Sequence, residues 1–380
     1  MQLVLSEDQE LISKTVGDFV EERSPVSRFR ALRDSNDDTG YSKALWKEMA
    51  ELGWVGISIP EEYGGAGMGL ADLAIVLEGL GSRLAPEPFF STVLLGGQML
   101  IRGGTKDQQG TWLPGIAAGE KIISLAYQEL GSRYDLNVVE TRAEVINNGF
   151  SITGEKTLVL DGHVADCFLV VARTAGDSRS SEGISIFLVP SDADGLVVTR
   201  QTRVDFRNSA VVSLSGVSVE RSALVGELHR GATLLEDVVD YATAGLCSEM
   251  LGGMQQAFKL TMDHVKERKQ FETVVGSFQA LKHRAADIFI ELELARSATM
   301  ACTRAIDEES ENSSKLVSLA KARCSDAYLL ASNEGVQMFG GVGMTDEYDI
   351  GLYLKRARAC ELTFGDSSFH RNRWALLGGY

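Results

Sequence analysis

At 380 residues the chain is long enough for two or three domains of about 150 residues each, and its 44% apolar content can fill a sizeable core. With 24% charged residues and only 6 prolines it falls outside the disordered and low-complexity classes. Its 37 Lys plus Arg against 53 Asp plus Glu give a net charge of −16, without the basic stripe of a polyanion binder, so nucleic acid is a poor partner.

The start, Met1 to Asp8, lacks a basic stretch followed by a long apolar one, which argues against a secretory leader. Residues 1 to 120 read as an N-terminal helical domain. Ser6 is an N-cap with Gln9 as its capping-box partner, and Ile12, Val16 and Phe19 follow at helical spacing. A second helix over Ser42 to Leu52 ends at Gly53, and a glycine-dense loop runs from Trp54 to Gly67. Helix resumes at Leu70 to Leu80 and again at about Pro88 to Arg102.

Over 121 to 230 the hydrophobic period shifts from helical to alternating. Val138–Val145, Ser151–Thr153, Cys167–Ala172, Ile184–Val189, Leu196–Thr199 and Val211–Leu214 read as strands, with Asn147-Asn148-Gly149 as a hairpin signal. Strands this close together, without helices between them, predict an antiparallel barrel or sandwich. Residues 231 to 380 return to helix, with long segments ending near Arg268, Asp307 and Met338 and shorter ones after Asp349 and Asp366, which predicts a four-helix bundle. The fold class is therefore α+β and multi-domain, in the order helical, β, helical.

No window reaches about 18 apolar residues, so no membrane span is expected. Cys167, Cys247, Cys302, Cys324 and Cys360 are scattered without a Cys-x-x-Cys pair. They read as reduced thiols of a cytoplasmic protein, with no disulfide frame, and no His/Cys/carboxylate spacing points to a metal. The glycine runs Gly64-Gly65-Ala66-Gly67 and Gly340-Gly341-Val342-Gly343 lack the strand–turn–helix context of a dinucleotide fold. Two stretches are more informative. Arg268 lies within ten residues of Ser277, a candidate helix cap, so a cation and a helix start share one corner and could meet a pyrophosphate; a structural corner is the alternative. Gly340 and Gly341 end a helix with one glycine more than a cap requires, which leaves room for a ligand near the backbone or a simple loop.

Pro60-Glu61-Glu62-Tyr63-Gly64-Gly65, Tyr127-Gln128-Glu129, Arg268 to Phe271, Ser277-Phe278-Gln279-Ala280 and Gln337-Met338-Phe339-Gly340-Gly341 together resemble the acyl-CoA dehydrogenases over essentially the whole chain. The resemblance implies FAD bound by Arg268, Phe271, Gln279, Gln337, Gly340 and Gly341, with Tyr127, Gln128, Leu158 and Leu160 from the middle domain. It also implies a dimer or tetramer, an acyl-CoA substrate, and electron-transfer flavoprotein or oxygen as electron acceptor. The family removes an α-proton with a carboxylate while the β-hydride passes to the flavin.

This sequence departs from the family at the reacting centre. Phe364 stands where many members carry the catalytic Glu, and Ala242 where others place it early in the first bundle helix. Glu249 lies seven residues past Ala242, two turns along the same face, among uncharged neighbours that would raise its pKa; a buried ion pair is the structural alternative. Asp366 is the second candidate base, with a helix cap as the favoured role. Leu158 and Leu160 replace the usual Trp and Thr beside the flavin, Thr243 replaces an Arg near CoA, and Arg133 is a solvated loop cation that could meet a phosphate instead. The leading expectation is α,β-dehydrogenation of an acyl-CoA to the 2-enoyl-CoA, with bulky, branched or steroid-type chains accommodated by the displaced base. The alternatives are a non-catalytic partner subunit beside a homologous chain and a flavin-dependent oxygenase or oxidase acting on a CoA ester.

Overall fold

The structure, a computed structural model, describes residues 4–380. The N-terminal region is helical, with α1 (Glu7–Arg23), α2 (Val26–Asp34), α3 (Lys43–Glu51), α4 (Leu70–Ser82), a π-helical segment (Phe89–Gly97), α5 (Gln98–Gly103) and α6 (Lys106–Ala117). Eight strands follow: β1 (Ile123–Ala126), β2 (Arg142–Ile146), β3 (Gly149–Leu160), β4 (Cys167–Arg173), β5 (Ile184–Pro190), β6 (Leu196–Thr202), β7 (Asn208–Glu220) and β8 (Leu224–Val225). The C-terminal bundle holds α7 (Gly231–Glu267), a small hairpin of β9 (Lys269–Gln270) and β10 (Thr273–Val274), α8 (Gln279–Asp307), α9 (Ser313–Phe339), α10 (Ile350–Leu362) and α11 (Ser367–Leu377). The chain packs as two compact units: one holds the chain up to Ala31, Gly69–Ala85 and Thr243–Tyr380, the other Leu32–Met68 and Pro86–Ala242. The N-terminal helices therefore divide, α1 and α4 joining the bundle while α3, α5 and α6 join the sheet.

In the helical unit the local signals act as read. The Ser6 side chain accepts from Gln9 N, and Gln9 reciprocates, closing the capping box of α1. The start of α4 has no side-chain cap of its own, because Gly69 stands there; Asp307 accepts from Leu70 N at 2.7 Å and Ala71 N at 2.8 Å instead. Glycines then set how closely α4 and α7 approach. A Cβ at Gly81 would lie 2.2 Å from the Glu249 carbonyl, and one at Gly252 would lie 1.8 Å from that of Glu78, so only glycine lets the two backbones touch. Leu246, Met250 and Leu251 are buried beside this contact, and side chains of this size contribute about 1.5–3 kcal/mol each when fully buried.

The other unit is built on one sheet of order β6-β7-β3-β2-β4-β5-β8, with β1 added against β4. Asn147 and Asn148 make the two-residue turn between β2 and β3, as their sequence predicts. The sheet is not wholly antiparallel, which corrects the sequence expectation: β1 runs parallel to β4, and β2 meets β4 in parallel at Arg142 and Arg173. The long path from β1 through the β2–β3 hairpin gives β4 room to return in the same direction, which a tight turn could not. All seven residues of β4 are buried, so it reads as a continuous apolar run instead of an alternating one. Among the described residues, no helix is long and apolar enough to cross a membrane, and no group of His, Cys, Asp and Glu is arranged to hold a metal ion.

Candidate functional site

One end of the bundle gathers six of the residues singled out by sequence. Arg268 closes α7, and its carbonyl accepts from Val275 N at 2.8 Å, so the β9–β10 hairpin folds back directly beyond it. The two-residue turn of that hairpin is Phe271-Glu272, with φ of 50° and 61°. A type I′ turn favours Asn-Gly here; two ordinary side chains in left-handed conformation store strain. The turn leaves Phe271 86% exposed, its ring edge-on to Phe278 at 6.3 Å. Ser277 does not cap α8, contrary to the sequence reading. Phe278 is the N-cap residue, without a side-chain hydrogen bond, and Ser277 Oγ donates to Val274 O at 2.7 Å. Exposed Gln279 opens α8, so the positive helix start lies beside the Arg268 turn.

The second segment is brought to this end by a ring stack. His264, one turn before Arg268, lies flat on Phe339 at 4.1 Å and 12°, and Tyr348 packs edge-on against both rings. Burial, and then the Arg268 charge, lower the His264 pKa, so the stacked ring is neutral near pH 7. Gln337, Gly340 and Gly341 are exposed immediately beyond. Gly340 has φ 69° and ψ −147°, a conformation open only to glycine. Gly341 has no such need, and a Cβ there would meet nothing in this chain within 4 Å. An exposed Arg, an open helix start and a glycine the chain itself does not require fit close approach of a dinucleotide phosphate and its backbone contacts.

In the sheet unit, Tyr127, Gln128 and Leu158 are neighbours. Thr157 N donates to Gln128 O at 2.8 Å, and Lys156 Nζ donates to Tyr127 O at 3.2 Å. The register of β3 on β7 slips between Lys156 and Val159, and the bulge turns Leu158 outward at φ 53° and 42% exposure. Leu160 is buried, and its carbonyl accepts from Ser124 Oγ at 2.8 Å. Behind these residues lies a pair not recognised from sequence. Lys156, fully buried, reaches Glu129 Oε1 at 2.6 Å, and the same carboxylate accepts from Glu140 N at 2.8 Å and Thr141 N at 3.0 Å. Burial pulls the Lys156 ammonium down to about 8 against the opposing pull of Glu129. Burial pushes the Glu129 carboxyl up, but Lys156 and Thr141 outweigh it and hold it below the ordinary value. Arg133 is exposed, its guanidinium 5.4 Å over the Tyr134 ring.

The candidate bases fall in the helical unit. Glu249 is 5% exposed on α7, with Leu246, Cys247, Met250 and Leu251 at 1% or less. Its surroundings are not wholly apolar, which corrects the argument from its sequence neighbours. Arg356 Nη1, from α10, donates to Glu249 Oε1 at 3.0 Å, and the Cys360 thiol faces the same oxygen at 3.9 Å. A buried guanidinium favours the charged carboxylate, whereas an apolar setting favours the acid. The available signal was the placement of Tyr353, Arg356 and Cys360 on one buried helix face, hidden within Lys355-Arg356-Ala357-Arg358. Asp366 caps α11, its Oδ1 accepting from Phe369 N at 2.8 Å. Ala242 and Thr243 are buried in α7. Half-buried Phe364, at φ 60°, has its carbonyl taken by His370 Nε2 at 3.1 Å. Lys321 Nζ donates to Glu361 O at 3.0 Å and Gly365 O at 2.7 Å, so this loop is tied at three carbonyls.

Three family models match the chain: acyl-CoA dehydrogenase N-terminal domain over residues 6–120, middle domain over 124–217 and C-terminal domain over 229–375. The sequence is 29% identical over 380 residues to a probable acyl-CoA dehydrogenase of Bacillus subtilis, covering 98% of each chain. It is 29% identical over 372 residues to the mitochondrial short/branched chain specific acyl-CoA dehydrogenase of Bos taurus, covering 97% of this chain and 84% of the relative. Among solved structures, that of the ChsE4-ChsE5 complex from Mycobacterium tuberculosis superposes with a TM-score of 0.89 at 25% identity, over 100% of this chain and 99% of the other.

Proposed function

This chain belongs to the acyl-CoA dehydrogenase family, and on that premise we propose that it oxidises a short, branched or otherwise bulky acyl-CoA thioester to the 2-enoyl-CoA with Glu249 as base. Its cofactor is FAD, whose chemistry when bound is acceptance of a hydride from the substrate β-carbon. Arg268 would meet the pyrophosphate, Gly340 and Gly341 would admit close backbone contact, and Phe271, Gln279 and Gln337 would complete the bundle's share. Tyr127, Gln128, Leu158 and Leu160 would be the contribution of the middle domain, whose limits we place at 121 and 230. Glu249 would take the α-proton as the β-hydride leaves, so that the new double bond keeps both electrons of the broken α C–H bond.

The observation that carries this reading is the state of the four candidate positions. Phe364 and Ala242 cannot accept a proton and Asp366 is occupied as a cap, whereas Glu249 is a buried carboxylate on the helix where some members hold the base. The Bos taurus relative is named for short and branched chains, which supports that substrate class. Electron-transfer flavoprotein or oxygen would take the electrons onward. Five buried, free cysteines support a cytoplasmic setting. The 86% exposed Phe271 supports completion of the cofactor site by a second copy or a homologous chain.

Glu249→Gln keeps shape and hydrogen bonding but cannot take a proton. Flavin reduction in a stopped-flow experiment should slow by about 10²- to 10⁴-fold, the usual weight of a general base, with FAD retained. Asp366→Asn should leave that rate unchanged. A normal Glu249 variant beside a slow Asp366 variant would reverse the assignment. The second reading, a non-catalytic subunit of a mixed assembly, is favoured by the loss of the usual base at Phe364 and by likeness to one chain of a two-component complex. A chain that purifies without the visible flavin spectrum would support it.

A further inference from the structure

We propose that Arg356 is a positioning residue for the reaction: its guanidinium keeps the Glu249 carboxylate charged and aimed while both are cut off from water. The inference rests on the reading of Glu249 as base and adds what makes a buried base usable. A carboxylate removed from water tends to hold its proton, and a protonated Glu cannot remove another. A counter-charge inside the same core reverses that tendency. Here the counter-charge is 2% exposed and donates to the carboxylate at 3.0 Å.

The neighbouring structure fixes both partners. On the Glu249 side, α7 is pressed against α4, where Gly81 leaves no space for a side chain beside the Glu249 carbonyl. On the Arg356 side, the guanidinium sits 6.0 Å over the Phe29 ring, and Tyr353, one turn earlier on α10, donates to Ser82 O and so ties that helix to α4. Titratable groups facing the pair include Tyr328 from α9 and Tyr353 and Cys360 from α10, with Arg83 and Asp349 beyond Tyr353. Burial pushes both tyrosines above their ordinary values, so neither carries charge near neutral pH. Arg356, in direct contact with the carboxylate, is therefore a cation that acts on the charge state of Glu249. A purely structural ion pair would need the same contact but would leave no trace in the pH dependence of the reaction.

The test uses the purified holoprotein and a panel of straight-chain, 2-methyl-branched and steroid-type acyl-CoAs, with flavin bleaching followed anaerobically as a function of pH. Loss of Arg356 should raise the acid limb of the rate profile, because the carboxylate then protonates at higher pH. An adjacent cation typically moves a carboxylate by about 1–3 pH units, so Arg356→Gln should bleach about 10- to 1000-fold more slowly on the acid side and recover on the alkaline plateau. Arg356→Lys keeps the charge and should leave the limb near its original position. Should the Gln variant fail to fold, infrared difference spectra of the wild type, with the Glu249 band assigned by Glu249→Gln, must still show an ionised Glu249 in mild acid. A slow Glu249→Gln variant beside an unmoved acid limb, or a protonated Glu249 band in mild acid, overturns the role of Arg356 and leaves the base standing. Normal bleaching by Glu249→Gln, or no bleaching of the wild type by any member of the panel, overturns the base reading and this proposal with it.

Discussion

Replacing Lys156 by Met tests how the sheet unit holds the stretch proposed to meet the cofactor. Lys156 is fully buried, with its ammonium 2.6 Å from Glu129 and 3.2 Å from the Tyr127 carbonyl, so it ties both ends of the Tyr127-Gln128-Glu129 stretch to β3. Met fills a similar volume but leaves the Glu129 carboxylate buried without its cation. Breaking one side of a buried pair costs about 3–5 kcal/mol, far more than the pair itself contributes relative to an apolar substitute. For a cooperative unit of about 150–250 residues, where each kcal/mol moves the midpoint by about 2–4 °C, the melting temperature should fall by about 6–20 °C. Calorimetry or circular dichroism at neutral pH reads that shift. The double variant Glu129→Gln, Lys156→Met removes the stranded charge and should recover part of the loss: the Glu140 and Thr141 amides bond different oxygens of Glu129, and the single Gln carbonyl still accepts from one of them. If the single variant costs under about 1 kcal/mol, or the double variant costs as much as the single one, the pair is not the buried clamp described.

Arg268→Ala should weaken FAD binding by about 10- to 150-fold, the equivalent of a charge-assisted phosphate contact, and leave the melting temperature of the flavin-free protein unchanged because Arg268 is exposed; unchanged flavin affinity in equilibrium dialysis would move the cofactor site elsewhere. His370 gives a pH signature: burial, and then the Lys321 charge, push its imidazole down to about 3 from 6.5. The unfolded chain therefore binds the extra proton first, and the stability present above 6.5 is lost as pH falls towards 3, at about 1.4 kcal/mol per pH unit. Urea midpoints should show that slope in the wild type and a flatter one in His370→Gln; equal slopes would mean that His370 is not held neutral.

Much of this was legible in the sequence because it rests on local rules. The Ser6–Gln9 capping box, the Asn147-Asn148 turn and the Asp366 cap each depend on residues within four positions of one another. The exposed candidate residues stand out for another reason: Arg268, Phe271 and Gly341 make few demands within the chain, a pattern compatible with the proposed ligand contact. What escaped was contact between distant segments. Asp307 caps α4 across 237 residues, and Arg356 reaches Glu249 across 107, and no periodicity reports such pairings. The parallel placement of β1 on β4 escaped for the same reason, since strand pattern specifies burial and not direction. Ser277 shows the opposite failure. Its sequence suits a cap, but the hairpin before it claims the hydroxyl for Val274 O.

The loop at Phe364 shows how the position that the family resemblance matches to a base could change without disturbing the fold. Lys321 and His370 hold the carbonyls of Glu361, Phe364 and Gly365, so the path of the loop is set by its backbone acceptors and not by the side chain at position 364. Burial lowers the Lys321 pKa, and an ammonium taken out of water is tolerated only where enough acceptors surround it; here two carbonyls and the Ser325 hydroxyl do so. The left-handed conformation of Phe364 adds a cost of about 1–2 kcal/mol, which the same three ties can offset. A side chain at this point is therefore carried by the loop and contributes little to its shape, so exchanging a carboxylate for Phe here would remove chemistry and leave architecture intact. On the proposed reading, the proton acceptor comes from an element fixed by other means. Residue 249 meets that condition, because α7 is locked to α4 by glycine contacts and to α10 by Arg356.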